Sequence, residues 1–141
     1  MTARRYLEQY RMAVHRIHRY EEEYERELLL IDTVRSLSDN DGMPHGVNIS
    51  KPTENKAVRL ADKTQRIIDA KLEAIRIRQE VFDTIMELDD LECDVLLQRY
   101  VYLKKWEDVC LAVNYTWPTV RAAWHRGEDL IQDIIDTRHY M

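Results

Sequence analysis

The sequence predicts an all-α protein: a long antiparallel helical hairpin followed by a C-terminal helix-turn-helix in a three-helix unit. Three observations predict it. Only three glycines and three prolines interrupt 141 residues, of which a third are charged, a balance that favours long, solvent-facing helices. Two long stretches carry apolar residues at helical spacing, and between them lies one segment that gathers two glycines and two prolines. Near the C-terminus the helical period breaks once and restarts, as it does when two helices pack across a tight turn.

The same totals bound the function. A net charge of −5 argues against indiscriminate nucleic-acid binding, so a DNA contact must come from a local patch. Cys93 and Cys110 are too few for a disulfide framework and fall among apolar residues, which suits buried, reduced thiols in a cytosolic protein. Apolar runs such as Leu28 to Ile31 are far short of a membrane span, and no secretory segment stands out. No Ser/His/Asp or Cys/His set, phosphate-cradling glycine loop or metal-ligand cluster occurs. The expectation is a cytoplasmic protein that is not an enzyme, with no cofactor, no metal and no membrane partner.

The first helix is expected over residues 4–36. Leu7, Tyr10, Val14, Ile17, Tyr24, Leu28 and Ile31 alternate steps of three and four, with Glu21 as the polar interruption. This is a heptad seam that must pair with something. Glu21, Glu22 and Glu23 read as a solvated turn. His15 and His18 offer two metal ligands at i, i+3 spacing but no third. Residues 37–52 form the one clear loop, broken by Gly42, Pro44 and Gly46. His45 within it has no accompanying nucleophile or acid, and reads as a surface histidine.

The second helix is expected over 53–88, with Ala61, Ile68, Leu72, Ile75, Phe82 and Met86 as its main stripe and Ile67, Val81, Ile85 and Leu88 beside it. The loop is long enough to fold it back on the first, giving a hairpin roughly 45 Å long. Such a hairpin buries little by itself. Either a second subunit covers its outer apolar residues, making a homodimer through the hairpin, or the C-terminal helices pack along it in a monomer.

Asp89-Asp90 ends this helix and caps the next, in which Leu91, Val95, Leu96, Tyr100 and Val101 form an apolar face. The expected domains are therefore 1–90, the hairpin, and 91–141, the helix-turn-helix unit. After a corner at Lys104-Lys105, Trp106 opens the first motif helix. Cys110 is the small residue where the second helix crosses, flanked by Val109 and Val113. Four residues on, Asn114 tolerates the positive φ that the turn requires. Thr116 supplies an N-cap, Pro118 is tolerated in the first turn, and Val120 anchors the second helix. Trp106 and Trp124 fall at core-like positions, whereas Trp117 faces outward. From Arg99 to Gly127 five cations (Arg99, Lys104, Lys105, Arg121, Arg126) oppose only Glu107 and Asp108, with His125 in addition, and the sign reverses through Asp129, Asp133 and Asp136. Spacing and charge alone fit a DNA-binding motif and a plain two-helix corner equally.

The run Thr119-Val120-Arg121-Ala122-Ala123-Trp124-His125-Arg126-Gly127 resembles region 4 of bacterial sigma factors, where a Thr-Val pair precedes Leu-His-Arg-Ala. Arg99-Tyr100 followed by Trp106-Glu107-Asp108-Val109 resembles the approach to the same motif. With the Gly-Met-Pro-His-Gly loop at Gly42 to Gly46 and the long helix before it, the chain resembles small phage-encoded regulators, the ArpU and RinA types of late-gene activator. The resemblance covers most of the chain from Met43 onward. Asn114 in place of the usual glycine, and Trp117-Pro118 where the group is more often polar, are departures.

The resemblance implies a double-stranded DNA reader whose second motif helix enters the major groove, in a bacterial host cell. Carried over position by position, the base-facing residues are Trp117, Thr119, Arg121, Ala122, His125 and Arg126. Arg99, Lys104 and Lys105 would hold phosphates. The motif core would be Val109, Cys110, Val113, Asn114, Val120 and Trp124. No segment resembles the promoter-melting part of a sigma factor, so the implied role is a transcription activator with a contact to host RNA polymerase. Two rivals stand beside it: a small terminase-like DNA packaging subunit, and a helical adaptor that docks a protein partner without DNA activity.

Overall fold

The computed structural model describes the backbone of residues 1–39 and 50–139, with side chains for 1–33 and 55–139. Every regular element among them is helical: α1 (Ala3–Leu7), α2 (Gln9–Asp39), α3 (Ser50–Ile85), α4 (Asp90–Leu96), α5 (Trp106–Val113) and α6 (Trp117–His139). A π-helical turn over Leu97–Val101 continues α4. The two long helices reach further into the expected loop than positions 36 and 53, and His45 lies outside the described residues.

The chain divides into two compact units, His15–Leu72 and a second made of Met1–Val14 with Glu73–Met141. A boundary at residue 90 was expected, and the physical reason for the difference is shared burial. Tyr6, Leu7, Val81, Ile85 and Leu88 bury in one cluster with Leu96, Tyr100, Val101 and Ile131.

In the His15–Leu72 unit α2 and α3 run antiparallel, as their ion pairs require: Glu21 meets Lys71, while Glu23 and Glu27 meet Lys63. Glu21 and Glu23 therefore do not form a purely solvated turn. Ile17, Tyr24 and Ile31 of the expected seam are half-buried, but Leu28 is 37% exposed and the half-buried Glu27 takes its place. The Glu27 carboxylate, hydrogen-bonded to Lys63, raises the pKa of that ammonium above its ordinary value.

Most of the expected main stripe of α3 lies on the open face, while its Phe82 is half-buried against the main cluster. Ile68, Leu72, Ile75 and Met86 are 45 to 65% exposed, and Ala61 is exposed too. The inward series is Leu60, Lys63, Ile67 and Ala70, followed by Ala74, Ile77, Val81 and Ile85. Both series keep heptad spacing, so period alone could not choose between them. What distinguishes the inward one is Lys63, which finds the acidic partners Glu23 and Glu27 across the seam.

In the other unit, α4 and its π turn lie against α6. Tyr100 and Val101 at the end of the π turn are both buried, 1% and 3% exposed. Tyr100 accepts a hydrogen bond from the indole N–H of Trp124 at 2.9 Å, and burial pushes its pKa up to about 12. Gly127 sits where α6 crosses α4: a Cβ there would stand 2.9 Å from Leu96 Cδ1. Buried Thr84 shares a 2.9 Å hydrogen bond with the Tyr6 hydroxyl and accepts one from Arg138 at 2.8 Å. α1 is tied to α6 through the Ala3 N–H, which donates to Gln132 Oε1 at 2.7 Å, and the Arg4–Glu128 ion pair.

Candidate nucleic-acid interface

α5 and α6 meet over a small dry cluster. Val109, Val120, Ala123 and Val95 have no solvent exposure, with Cys110, Val113 and Trp124 half-buried around them. Asn114 ends α5 in the left-handed region, φ 61° and ψ 42°, with its N–H on the Cys110 carbonyl. The Tyr115 N–H shares that acceptor at 3.2 Å. Asn114 is itself exposed, so it is the turn of the motif and not part of its core. The Thr116 carbonyl accepts the first bond of α6, from the Val120 N–H at 3.0 Å. The turn and the anchor thus stand where their spacing placed them, while Thr116 meets α6 through its carbonyl and shows no side-chain cap bond among the described residues.

Burial of Val120 and Ala123 turns the rest of the first α6 turns outward. Trp117, Thr119, Arg121, Ala122, His125 and Arg126 are all exposed. Trp117 keeps 40% exposure and sets its ring edge-on to Trp106, with centroids 5.3 Å apart. Trp106 in turn lies 4.5 Å from Trp124, against whose other neighbour, His125, the rings stack at 4.7 Å. Trp106 and Trp124 are half-buried members of this aromatic brace. Beside it Trp106, Glu107, Cys110 and Trp117 line a cleft of about 180 Å³.

The cations separate into open and engaged. Arg121 is exposed and has no partner among the described residues. Arg126 donates through Nε to Glu92 Oε1 at 2.7 Å while its side chain stays 56% exposed. That hydrogen bond holds the Glu92 carboxyl below the ordinary carboxylate range. Lys105 is exposed and Lys104 half-buried. Arg99 departs from its expected role as an open phosphate contact. Its guanidinium lies over the Trp106 ring at 4.7 Å and donates to the Lys104 carbonyl at 2.9 Å. Burial, then the neighbouring Arg11 charge, pulls its pKa down. Arg99 braces the corner between the π turn and α5.

The buttress behind this face was not apparent in the sequence. Arg4 places its guanidinium 4.9 Å from the centroid of the Trp124 ring, and Gln132 Nε2 donates to the Met1 carbonyl at 3.3 Å. The available signal was Thr2, whose hydroxyl accepts from the Arg5 N–H at 3.3 Å as an N-cap, ahead of the apolar pair Tyr6-Leu7.

His15 and His18 are both exposed, and His18 lies 3.8 Å from Glu21. Among the described residues no three His, Cys, Asp or Glu side chains gather as a metal site, and no helix is long and apolar enough to cross a membrane. No protein-family model matches the sequence, and neither the curated proteins nor the solved structures contain a significant match.

Proposed function

We propose that this chain is a sequence-specific double-stranded DNA-binding regulator of transcription, a helical hairpin followed by a sigma region 4-like helix-turn-helix, acting as a phage late-gene activator in the bacterial cytoplasm without catalytic activity. One observation carries the reading. Across the left-handed turn at Asn114, α6 buries Val120 and Ala123 completely and leaves Trp117, Thr119, Arg121, Ala122, His125 and Arg126 open along its first turns. A recognition helix needs this arrangement, because its anchoring residues and its reading residues must alternate on opposite faces.

Arg121 is the leading base contact: its guanidinium is unengaged and suits the O6 and N7 acceptors of guanine. Thr119 suits a base edge or a thymine methyl, and Lys105 a phosphate. Arg126 reaches DNA only while holding Glu92, so its part is orientation of the face as well as contact. With a net charge of −5, the chain gains little from non-specific attraction, and specific contacts must dominate. In this reading, host RNA polymerase is the second partner.

The test is selection of duplexes from a random library by the full chain, followed by footprinting of the enriched sequence. A single motif should emerge, and Arg121→Ala should relax preference at one base pair while leaving the footprint length unchanged. Failure to enrich any motif would overturn the reading. Trp117 beside its apolar cleft favours a protein-docking adaptor as the second reading, and that result would support it.

A further inference from the structure

Of the two arginines on the open face of α6, Arg121 is unengaged and Arg126 is held by the chain itself. The Arg126 Nε donates to Glu92 Oε1 at 2.7 Å, a charge-assisted bond from α6 to α4. Among the described residues neither Nη group of Arg126 meets an acceptor, so the outer edge of the guanidinium stays open. The holding carboxylate is fixed in turn. Glu92 is half-buried, and Leu96 lies one turn further along α4. Leu96 Cδ1 stands against Gly127, the neighbour of Arg126, so closely that a Cβ there would lie 2.9 Å away. The two helices are therefore packed without slack where the ion pair spans them.

We propose that Glu92 is a positioning residue for base reading: by holding Nε it aims both Nη groups of Arg126 at the O6 and N7 acceptors of one guanine and withholds them from phosphates. The inference rests on the DNA-binding reading above and adds a second guanine contact to that of Arg121.

The charge around Arg126 decides the kind of acceptor. Asp129 lies one turn further along α6, and Asp89 and Asp90 lead into α4 ahead of Glu92; all three are exposed. With Glu92 itself, these carboxylates outnumber the guanidinium they surround. Such a neighbourhood opposes an approaching phosphate and tolerates a neutral acceptor. In the major groove guanine presents two neutral acceptors side by side, spaced for the arginine fork. Holding also sharpens the choice. A guanidinium fixed at Nε cannot swing to another acceptor when the guanine is replaced, so the wrong base pair leaves its N–H groups unmatched. Arg121, with no such hold, can readjust.

The test is duplex affinity of the full chain by fluorescence anisotropy at one salt concentration. The probes are the selected duplex, its single-base-pair replacements and a random duplex. Wild type should prefer guanine at one position by about 5- to 150-fold, the range of a single bidentate contact. Arg126→Ala should remove that preference and leave the one read by Arg121. Glu92→Ala, with helicity unchanged, should cut it to under about threefold while raising affinity for the random duplex by about two- to tenfold, because a carboxylate is gone and the guanidinium can turn to phosphate. Glu92→Gln keeps an acceptor for Nε and should recover most of the preference. Specific and random affinity falling together in Glu92→Ala would make the pair a structural brace alone and overturn the proposal. A guanine preference that survives Arg126→Ala or is unchanged by Glu92→Ala overturns it as well. The DNA reading outlasts each of these results, since Arg121 still sets a preference; a wild type that selects no duplex overturns the reading and the proposal together.

Discussion

Gly127 offers the sharpest test of how α4 and α6 fit together. In an open helix, replacing glycine by alanine stabilises by about 1 kcal/mol, because alanine loses less backbone entropy. Here the added Cβ would meet Leu96 Cδ1 at 2.9 Å and Cγ at 3.2 Å. Leu96 has no exposure and lies in the main cluster with Tyr100 and Ile131, so its side chain cannot turn away without displacing both. Overpacking of this kind costs roughly 1–3 kcal/mol, which outweighs the propensity gain and leaves Gly127→Ala destabilised by about 1 kcal/mol. Leu96→Ala costs about 2–5 kcal/mol by opening a cavity. Adding Gly127→Ala to it should then stabilise by about 1 kcal/mol, because the obstructing methyl groups are gone. Urea unfolding of the four proteins at one fixed concentration, followed by far-UV circular dichroism, measures the cycle. If Gly127→Ala stabilises the wild-type background by about 1 kcal/mol, the close crossing is wrong.

Three further outcomes follow from the same geometry. Asn114→Ala should lower stability by about 1 kcal/mol, the cost of a left-handed residue with a Cβ and no local hydrogen bond, while Asn114→Gly stays within a few tenths; thermal unfolding distinguishes them. Glu92 has a folded-state pKa below its unfolded value, so its contribution is present above the ordinary carboxyl range and lost as pH falls through the depressed value. Wild type should therefore lose more stability than Glu92→Gln on acidification across that window, as read by denaturant midpoints at several pH values. Leu7→Ala should cost about 2–5 kcal/mol despite its place near the N-terminus, because Leu7 is fully buried. Met12→Ala, at a residue 61% exposed, should change stability by under about 0.5 kcal/mol in the same unfolding assay.

Local chemistry made much of the C-terminal motif legible in the sequence. Trp106 and Trp117 do open α5 and α6, and Asn114 does take the left-handed turn, because capping, φ tolerance and period act over a few residues. The face of α3 was not legible. Its two heptad stripes are equally periodic, and the choice depends on Lys63 meeting Glu23 and Glu27 across the hairpin. Arg99 shows the same limit at the candidate site: composition counted it as an open cation, while tertiary contact spends it on Trp106 and the Lys104 carbonyl. The docking of Met1–Leu7 on α6 joins residues some 129 positions apart, a separation at which no local pattern carries information.

The central claim is that the open face of α6 binds DNA, and its most direct test is duplex affinity at two salt concentrations by fluorescence anisotropy. Wild type should bind a selected duplex with affinity that falls steeply with salt. The Arg121→Ala/Arg126→Ala variant, checked for unchanged helicity, should lose at least about tenfold in affinity and about one to two in log–log salt slope. Equal affinity and slope for the two proteins, or no binding by either, would contradict the account and leave α5 and α6 as a scaffold.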